Sequence, residues 1–411
     1  MTKQYIEIDR LVGSNGEFSA QGYSVSLSGD GQTLAVGGPV DNNSYGAVWI
    51  FIKCNDEEWI EDEKLIPAGF DSGTAGFAVA LSSDGKTLAV GARLSNGTAI
   101  YTRNDCDKWI QFKYILVGTG GSGFFQGFSV ALTACGDLLA VGDVTDGNGN
   151  GAVWLFKKSD SDSDSDSDWF QIGEKLVVSD EFVSLGSSVA FSDNGDILAI
   201  GGRSDNGGIG ATWIFIKQNN QWIQNQKIIG SDSIDTQIQG TSVSLNGNGN
   251  ILAVGGPGGN GAAWVFARTN NGQFVQLGNK LVPQGPEIFT FGESVDLSHN
   301  GKLLAVGATD PSTENLAYLT NKFLLSEINI ERKPKTNTNT NKNTGKTFVF
   351  RRENNNYIQY GPPLVGSDSA ENQLQGHSVS FSSSGCTLAI GGPDTSTGAG
   401  ATWLFSLINI S

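Results

Sequence analysis

The residues best suited to acid–base chemistry are few in this chain. It contains two histidines, and both flank regular segments. His299 precedes the turn pair Asn300-Gly301, and His377 precedes a short run of small and apolar residues. Neither has a neighbouring Ser or Cys arrangement of the kind that supplies a nucleophile and its base. The sequence therefore predicts no catalytic residues.

The four cysteines do not form a recognisable site. They are Cys54, Cys106, Cys135 and Cys386, with no CxxC pair and no Cys/His spacing typical of zinc. The spacing favours free thiols. A bridge between Cys54 and Cys106 is the one alternative worth testing.

Carboxylate and amide side chains recur in several Gly-rich segments. Such segments favour turns, and hard cations prefer oxygen ligands. If these loops share one rim, their side chains are candidate ligand-binding residues: Asp41, Asn42, Asp146, Asn148, Asp205, Asn206, Asn260 and Asp394. No single loop spaces its carboxylates like a calcium-binding loop. The sequence thus predicts no metal and no other cofactor, with calcium as the alternative.

The element that must position these residues is a repeat. Ser24-Val-Ser-Leu-Ser-Gly-Asp-Gly-Gln-Thr-Leu-Ala-Val-Gly37 has six later copies, which begin at Ala78, Ser129, Ser188, Ser242, Ser294 and Ser378. Successive copies start 51 to 59 residues apart, except for 84 between the last two. Each copy contains a Gly turn between two apolar segments, which predicts a hairpin.

The period predicts an all-β, seven-bladed β-propeller of four-stranded blades, with residues 1–411 as one domain. The last copy lacks a fourth strand. Residues 4–14 align without a gap with 221–231, which form the fourth strand of another copy. We therefore predict that residues 1–12 complete blade 7 and close the ring, which removes the open edge of the array.

Two insertions interrupt the period. Residues 159–168 are a Ser-Asp tract, which we expect to be a solvated, disordered loop. Residues 311–343 extend blade 6, and their first part is apolar enough to pack. It is a candidate partner or self-association contact, through Leu316, Tyr318, Phe323 and Leu324, or else a flap on its own blade.

The composition excludes some classes of partner. Asp and Glu number 42 against 26 Lys and Arg, a formal net charge of −16. This charge repels phosphate backbones and anionic membranes, so nucleic acid is not expected as a partner. No apolar run could span a membrane, and the N-terminal segment lacks an apolar core of signal-peptide length. The compartment stays open.

The repeat resembles the FG-GAP family, which includes the integrin α-subunit propeller. The similar elements are Gly22 to Ser28, Leu34 to Pro39 and Gly46 to Phe51, with a literal Phe291-Gly292. The family's calcium-binding Asp-x-Asp-x-Asp-Gly loops have no counterpart here, because the equivalent loop is only Ser28 to Gln32. The Ser-Asp and Thr-Asn tracts also resemble repeat proteins of giant viruses and some bacteria.

The functional hypothesis from the sequence is a non-enzymatic propeller that presents a loop-rich rim to a protein or glycan partner. A surface or virion component is included in that hypothesis. One alternative is a hydrolase or lyase at the axial mouth, with Asp41, Asp205 and Asp394 as acid–base groups. The other is a self-assembling fibre or shell protein.

Overall fold

The structure is a computed structural model that describes residues 2–16, 18–54, 58–70, 73–159, 168–233, 236–283, 290–309, 345–367, 374–393 and 398–410. These residues form seven four-stranded antiparallel sheets arranged as the blades of a β-propeller. The predicted fold class is thereby confirmed. Four short helical turns lie between the second and third strands of their blades: α1 (Asp41–Ser44), a 3₁₀ turn (Arg93–Ser95), α2 (Asp146–Gly149) and α3 (Asp205–Gly208).

Each blade has the same strand order, and its first strand lies nearest the axis. In blades 1 to 7 the first strands are β2 (Ser24–Leu27), β6 (Ala75–Leu81), β10 (Ser129–Leu132), β14 (Leu185–Phe191), β18 (Ser242–Leu245), β22 (Thr290–Leu297) and β26 (Ser378–Phe381). The second strands are β3 (Thr33–Gly38), β7 (Thr87–Ala92), β11 (Leu138–Asp143), β15 (Ile197–Gly202), β19 (Ile251–Gly256), β23 (Leu303–Thr309) and β27 (Thr387–Gly392).

The two outer strands vary more in length. The third strands are β4 (Ala47–Cys54), β8 (Gly97–Arg103), β12 (Ala152–Lys158), β16 (Ala211–Gln218), β20 (Ala262–Arg268), β24 (Lys346–Glu353) and β28 (Ala401–Ile410). The fourth strands of blades 1 to 6 are β5 (Glu58–Leu65), β9 (Trp109–Gln111), β13 (Trp169–Gln171), β17 (Gln221–Ile228), β21 (Phe274–Gln276) and β25 (Asn356–Gln359). The fourth strand of blade 7 is β1 (Thr2–Leu11).

The N-terminal strand closes the ring as predicted. β1 pairs antiparallel with β28, from Thr2 opposite Ile410 to Leu11 opposite Thr402. Glu7 accepts hydrogen bonds from the backbone N–H and hydroxyl of Ser367, both at 2.6 Å. The first and last segments of the chain thus share one blade.

The hydrophobic core lies between the blades. Seven apolar clusters each combine residues of two neighbouring blades, one cluster for each interface around the ring. The second strands are buried over nearly their whole length because both of their faces meet another blade.

The geometry explains why glycine occurs at two positions of the repeat. In the hairpin turn Gly31 has φ +70°, and the φ values of the six equivalent glycines lie between +65° and +70°. At Gly37 the reason is space, because a Cβ there would lie 2.1 Å from the carbonyl oxygen of Gly76 in the next blade. The first glycine permits the turn, and the second permits the approach of two blades.

Seven backbone hydrogen bonds join the hairpin turns into a closed ring about the axis. Each N–H donates to a carbonyl of the next blade at 2.8–3.3 Å. The donor residues, in order, are Gly29, Ser83, Ala134, Asp193, Gly247, His299 and Ser383, and the last donates to Gly29. This ring defines the hairpin-side mouth. The opposite end, where the first strands begin, is called the loop-side mouth.

Candidate functional site

The loop-side mouth contains one variable residue from each blade. This residue stands directly before the constant small residue that begins the innermost repeat segment. In blades 1 to 7 it is Tyr23, Phe77, Phe128, Ser187, Thr241, Glu293 and His377. The closed ring brings these side chains together although they are far apart in sequence.

The acid–base groups of this mouth come from blades 6, 7 and 1. His377 Nδ1 lies 3.9 Å from a carboxylate oxygen of Glu293. The His377 ring packs edge-on against Tyr23, with ring centroids 4.5 Å apart. Both members of the pair are largely shielded, with 18% and 26% of their side chains exposed. A carboxylate, an imidazole and a phenol thus lie side by side.

Two arginines stand on the other side of the mouth. Arg93 is buried, and its guanidinium lies over the rings of Phe77 and Phe125, 4.7 and 5.0 Å from their centroids. Arg203 lies over Phe128 at 5.3 Å. Cation–π contacts of this kind hold a guanidinium against an aromatic face. Both guanidinium groups also lie close enough to Tyr23 to lower the pKa of its hydroxyl.

The electrostatics of the cluster follow from burial and proximity. Burial lowers the pKa of His377 to about 4, so its imidazole is neutral near neutral pH. Burial raises the pKa of Tyr23 to about 12, while Arg93 and Arg203 act to lower it and Glu293 to raise it. Tyr23 therefore stays protonated and can donate a hydrogen bond. Burial also lowers the pKa of Arg93.

The structure places three of the predicted ligand-binding aspartates in ion pairs within separate blades. Asp41 is 2.9 Å from Lys64, Asp146 is 2.5 Å from Lys175, and Asp205 is 2.9 Å from Lys227. Lys64 and Lys227 lie near the end of the fourth strand of their blades, and Lys175 follows the fourth strand of its blade. Each lysine lies over the Trp of the third strand of the same blade. Burial alone would raise the pKa of Asp146, but hydrogen bonds from Lys175 and the Ser122 N–H hold it below its usual value. The same Asp–Lys–Trp contact stabilises three loops.

The predicted amide ligands are exposed turn residues. Asn42, Asn148 and Asn206 have φ of +49°, +61° and +49°, a left-handed conformation that Asn tolerates better than most residues. Asn260 lies in an exposed turn of blade 5. Ligand binding at these eight positions stays a prediction. Asp394 lies outside the described residues.

Other predicted features also fall outside the described part of the chain. These are the candidate partner contacts Leu316, Tyr318, Phe323 and Leu324, the insertion 311–343, and the Ser-Asp tract from 160 to 167. Within the described ranges, no three His, Cys, Asp or Glu side chains come close enough to hold a metal ion. No described helix is both long enough and apolar enough to cross a membrane. All four cysteines are free.

The hairpin-side mouth holds a second titratable group. His299 Nδ1 lies 2.9 Å from Asp193 Oδ2, and the histidine side chain is 53% exposed. His299 of blade 6 reaches Asp193 of blade 4 across Gly247 of blade 5. A Cβ on Gly247 would lie 2.3 Å from the imidazole, so only glycine leaves room for this contact. Asp296 lies further in, and accepts hydrogen bonds from the Ser244 hydroxyl and the Phe381 N–H at 2.9 and 2.7 Å.

The loop-side cluster is not apparent from the sequence because its members come from different blades. The sequence pattern singles out His377, which precedes the first strand of blade 7, but not Tyr23, Arg93, Arg203 or Glu293. The signal was present in the repeat. The residue before the nearly constant segment is aromatic in three blades, carries a hydroxyl in two and is Glu293 or His377 in the last two. Variable residues held by a rigid scaffold are common in binding sites.

Comparisons with known proteins support the fold. No family model and no curated protein sequence matches the chain. Two solved propellers match in structure, from Bacteroides uniformis and Bacteroides fragilis, with TM-scores of 0.58 and 0.56 and 12% identity each. The first match covers 84% of this chain and 85% of the other, and the second covers 84% of each. Both proteins are named "putative 6-phosphogluconolactonase".

This finding corrects two sequence-based expectations. The sequence predicts a scaffold that presents its rim to a partner, and it predicts that the protein is not an enzyme, yet both structural neighbours carry the name of an enzyme. The expectation failed because each histidine was judged by its neighbours in sequence. After ring closure, His377 meets Glu293 and His299 meets Asp193. The FG-GAP and viral resemblances stay at the level of sequence pattern.

Proposed function

We propose that this propeller is a hydrolase that opens a small anionic lactone at its loop-side mouth. The observation that carries the proposal is the cluster of Glu293, His377 and Tyr23 facing Arg93 and Arg203. The name of the two structural neighbours supports the same reaction class. At 12% identity the likeness establishes the fold alone, so the substrate is argued from the side chains.

The proposed chemistry is ester hydrolysis by water. Glu293 and the neutral imidazole of His377 are the two groups able to accept a proton from the attacking water. The water oxygen bonds to the lactone carbonyl carbon, and the ring C–O bond then breaks. The ring oxygen takes a proton and becomes a hydroxyl, so one lactone and one water give one hydroxy acid.

The two arginines are the reason for proposing a substrate with a negatively charged group. A buried guanidinium binds a phosphate or carboxylate more strongly than an exposed one, because little water competes for it. Arg93 is 7% exposed and held between two phenyl rings. Arg203 is similarly held against Phe128. We assign both residues to the charged end of the substrate, and Tyr23 to the polarised carbonyl.

The test uses the purified full-length protein and δ-lactones with and without a phosphate group, followed by acid release at constant pH. We expect Glu293→Gln and His377→Asn to lower kcat by about 100-fold or more, as for loss of an acid–base group. Arg203→Ala should mainly raise KM for the phosphorylated lactone. The matched control is His299→Asn, at the opposite mouth, which should retain full activity.

Two results would overturn the proposal. One is a wild-type rate equal to the spontaneous rate for every lactone tested. The other is full activity in both Glu293→Gln and His377→Asn. Equal KM values for phosphorylated and uncharged lactones would remove the assignment of the arginines.

A further inference from the structure

The first strands use their axial N–H groups to link neighbouring blades. In this register the N–H at the fourth position of each repeat faces away from the second strand. Leu81 donates to Ser26 Oγ of blade 1, and Leu297 donates to Ser244 Oγ of blade 5, at 2.9 and 3.0 Å. Leu27 donates to Ser380 and Phe381 to Asp296 in the same way. The acceptor is always the third residue of the preceding copy.

Three blades lack this acceptor. The third residue of the copy is Ala80, Ala131 or Ala190 in blades 2, 3 and 4. An alanine side chain accepts no hydrogen bond. The N–H groups that would donate to these three positions belong to the next blades, at Leu132, Phe191 and Leu245. Among the described residues, these N–H groups have no protein acceptor. These donors lie on consecutive blades at one height along the axis.

A cavity adjoins the same three residues. Its volume is about 210 Å³, and its wall also includes Asp193, Asp296 and His299. No Lys or Arg belongs to the described wall. A water molecule occupies about 30 Å³ in the liquid, so several fit in this volume. Backbone N–H groups nearly always have a hydrogen-bond partner, and water is the usual one where protein acceptors are lacking.

We propose that this axial cavity is a built site for a cluster of ordered water molecules. Their oxygens accept the N–H groups of Leu132, Phe191 and Leu245, and their hydrogens point towards Asp296. Water suits the wall better than an anion does, because the wall carries two carboxylates and the chain is strongly acidic. Water also suits it better than a cation, which cannot accept from an N–H. The cluster takes the place of the missing serines between blades 2 and 5.

The test is a high-resolution crystal structure of the full chain, with two variants built on the repeat's own pattern. We expect water oxygens within hydrogen-bond distance of all three amides. In Ala190→Ser the new hydroxyl should accept the Leu245 N–H and displace that water alone. In Ser380→Ala, the matched reverse change, the Leu27 N–H should gain one water.

Three results would overturn the proposal. The first is a cavity without ordered solvent at these amides in the wild type. The second is an unchanged water beside Leu245 in Ala190→Ser. The third, from a bromide soak of wild-type crystals, is an anomalous peak at the amides, which would make the cavity an anion site. If Ser380→Ala does not fold, the other two crystals decide the question.

Discussion

At the residue scale, the pKa of His377 has a direct consequence for the proposed reaction. A base must be unprotonated to act, and burial lowers the pKa of this imidazole to about 4. We predict that kcat/KM for lactone hydrolysis is flat between about pH 5 and 7 and falls as the pH drops through about 4. Initial rates across this range, corrected for spontaneous hydrolysis, provide the measurement. An acid limb centred near 6.5, the usual histidine pKa, would contradict the prediction.

Asp296 gives a second prediction, on stability. Burial raises its pKa from 3.8 to about 6, so the folded state binds the proton more tightly than the unfolded state does. Stability is therefore lost as the pH rises from about 4 through 6. Asp296→Asn removes this cost and keeps an oxygen for the Phe381 N–H. Allowing for partial solvation, we expect the free energy of unfolding at pH 8 to rise by about 1–2 kcal/mol relative to the wild type.

The pH dependence separates this effect from a simple packing change. Near pH 4 the wild-type carboxyl is already protonated, so the advantage of Asp296→Asn should largely vanish there. Urea unfolding at pH 4 and pH 8 measures both values. Asp107→Asn serves as the control, because that side chain is 84% exposed and should give no difference at either pH. Equal stabilisation at both pH values would rule out this account of Asp296.

At the element scale, the Gln-Gly dipeptide before the first strand has a structural role. Gln126 accepts from the Gly118 N–H at 2.6 Å and donates to the Gly118 carbonyl at 3.0 Å. The equivalent glutamine Oε1 accepts the equivalent glycine N–H in blades 1, 5 and 7, and Gln21 of blade 1 also donates to the glycine carbonyl. It holds a glycine against the Trp of the third strand, where a Cβ on Gly118 would lie 2.1 Å from Trp154. The Gln-Gly dipeptide thus fixes the loop between two blades.

Loss of this contact should be measurable. Gln126→Ala leaves the buried N–H and carbonyl of Gly118 without their partner, which costs about 1–3 kcal/mol of unfolding free energy. Denaturant unfolding of the variant and wild type at one pH measures the loss. The control is Gln32→Ala in an exposed hairpin turn, which should change stability by less than about 0.5 kcal/mol. A Gln126→Ala protein as stable as this control would show that water replaces the glutamine.

At the scale of the whole molecule, the fold was readable from the sequence and the site was not. The repeat fixes strand, turn and blade because those depend on residues close in the chain, such as the turn glycine Gly31. The candidate site depends on contacts between blades, and His377 lies between Glu293 and Tyr23 only because blade 7 closes on blade 1. The ion pairs of Asp41, Asp146 and Asp205 with lysines of their own blades likewise join residues more than 20 positions apart, so the sequence pattern of these loops does not reveal them.

The last prediction concerns closure itself. Deleting residues 1–12 removes the fourth strand of blade 7, including buried Tyr5, which packs on Phe381 and donates to the Gly385 carbonyl. It also exposes the edge of β28, a ready site for pairing with other chains. We expect a drop in Tm of at least about 10 °C, together with aggregation on heating.

A matched experiment separates loss of the strand from loss of single contacts. Tyr5→Phe keeps the buried ring and removes only the hydrogen bond, so it should cost about 1 kcal/mol. A peptide of residues 1–13 added to the truncated protein should raise its Tm in a concentration-dependent way, because binding to the folded state stabilises it. A truncated protein that melts at the wild-type temperature would mean that the ring is stable without this strand. In that case the site would not depend on closure, since the hydrogen-bonded ring at the hairpin-side mouth would hold blades 7 and 1 together alone.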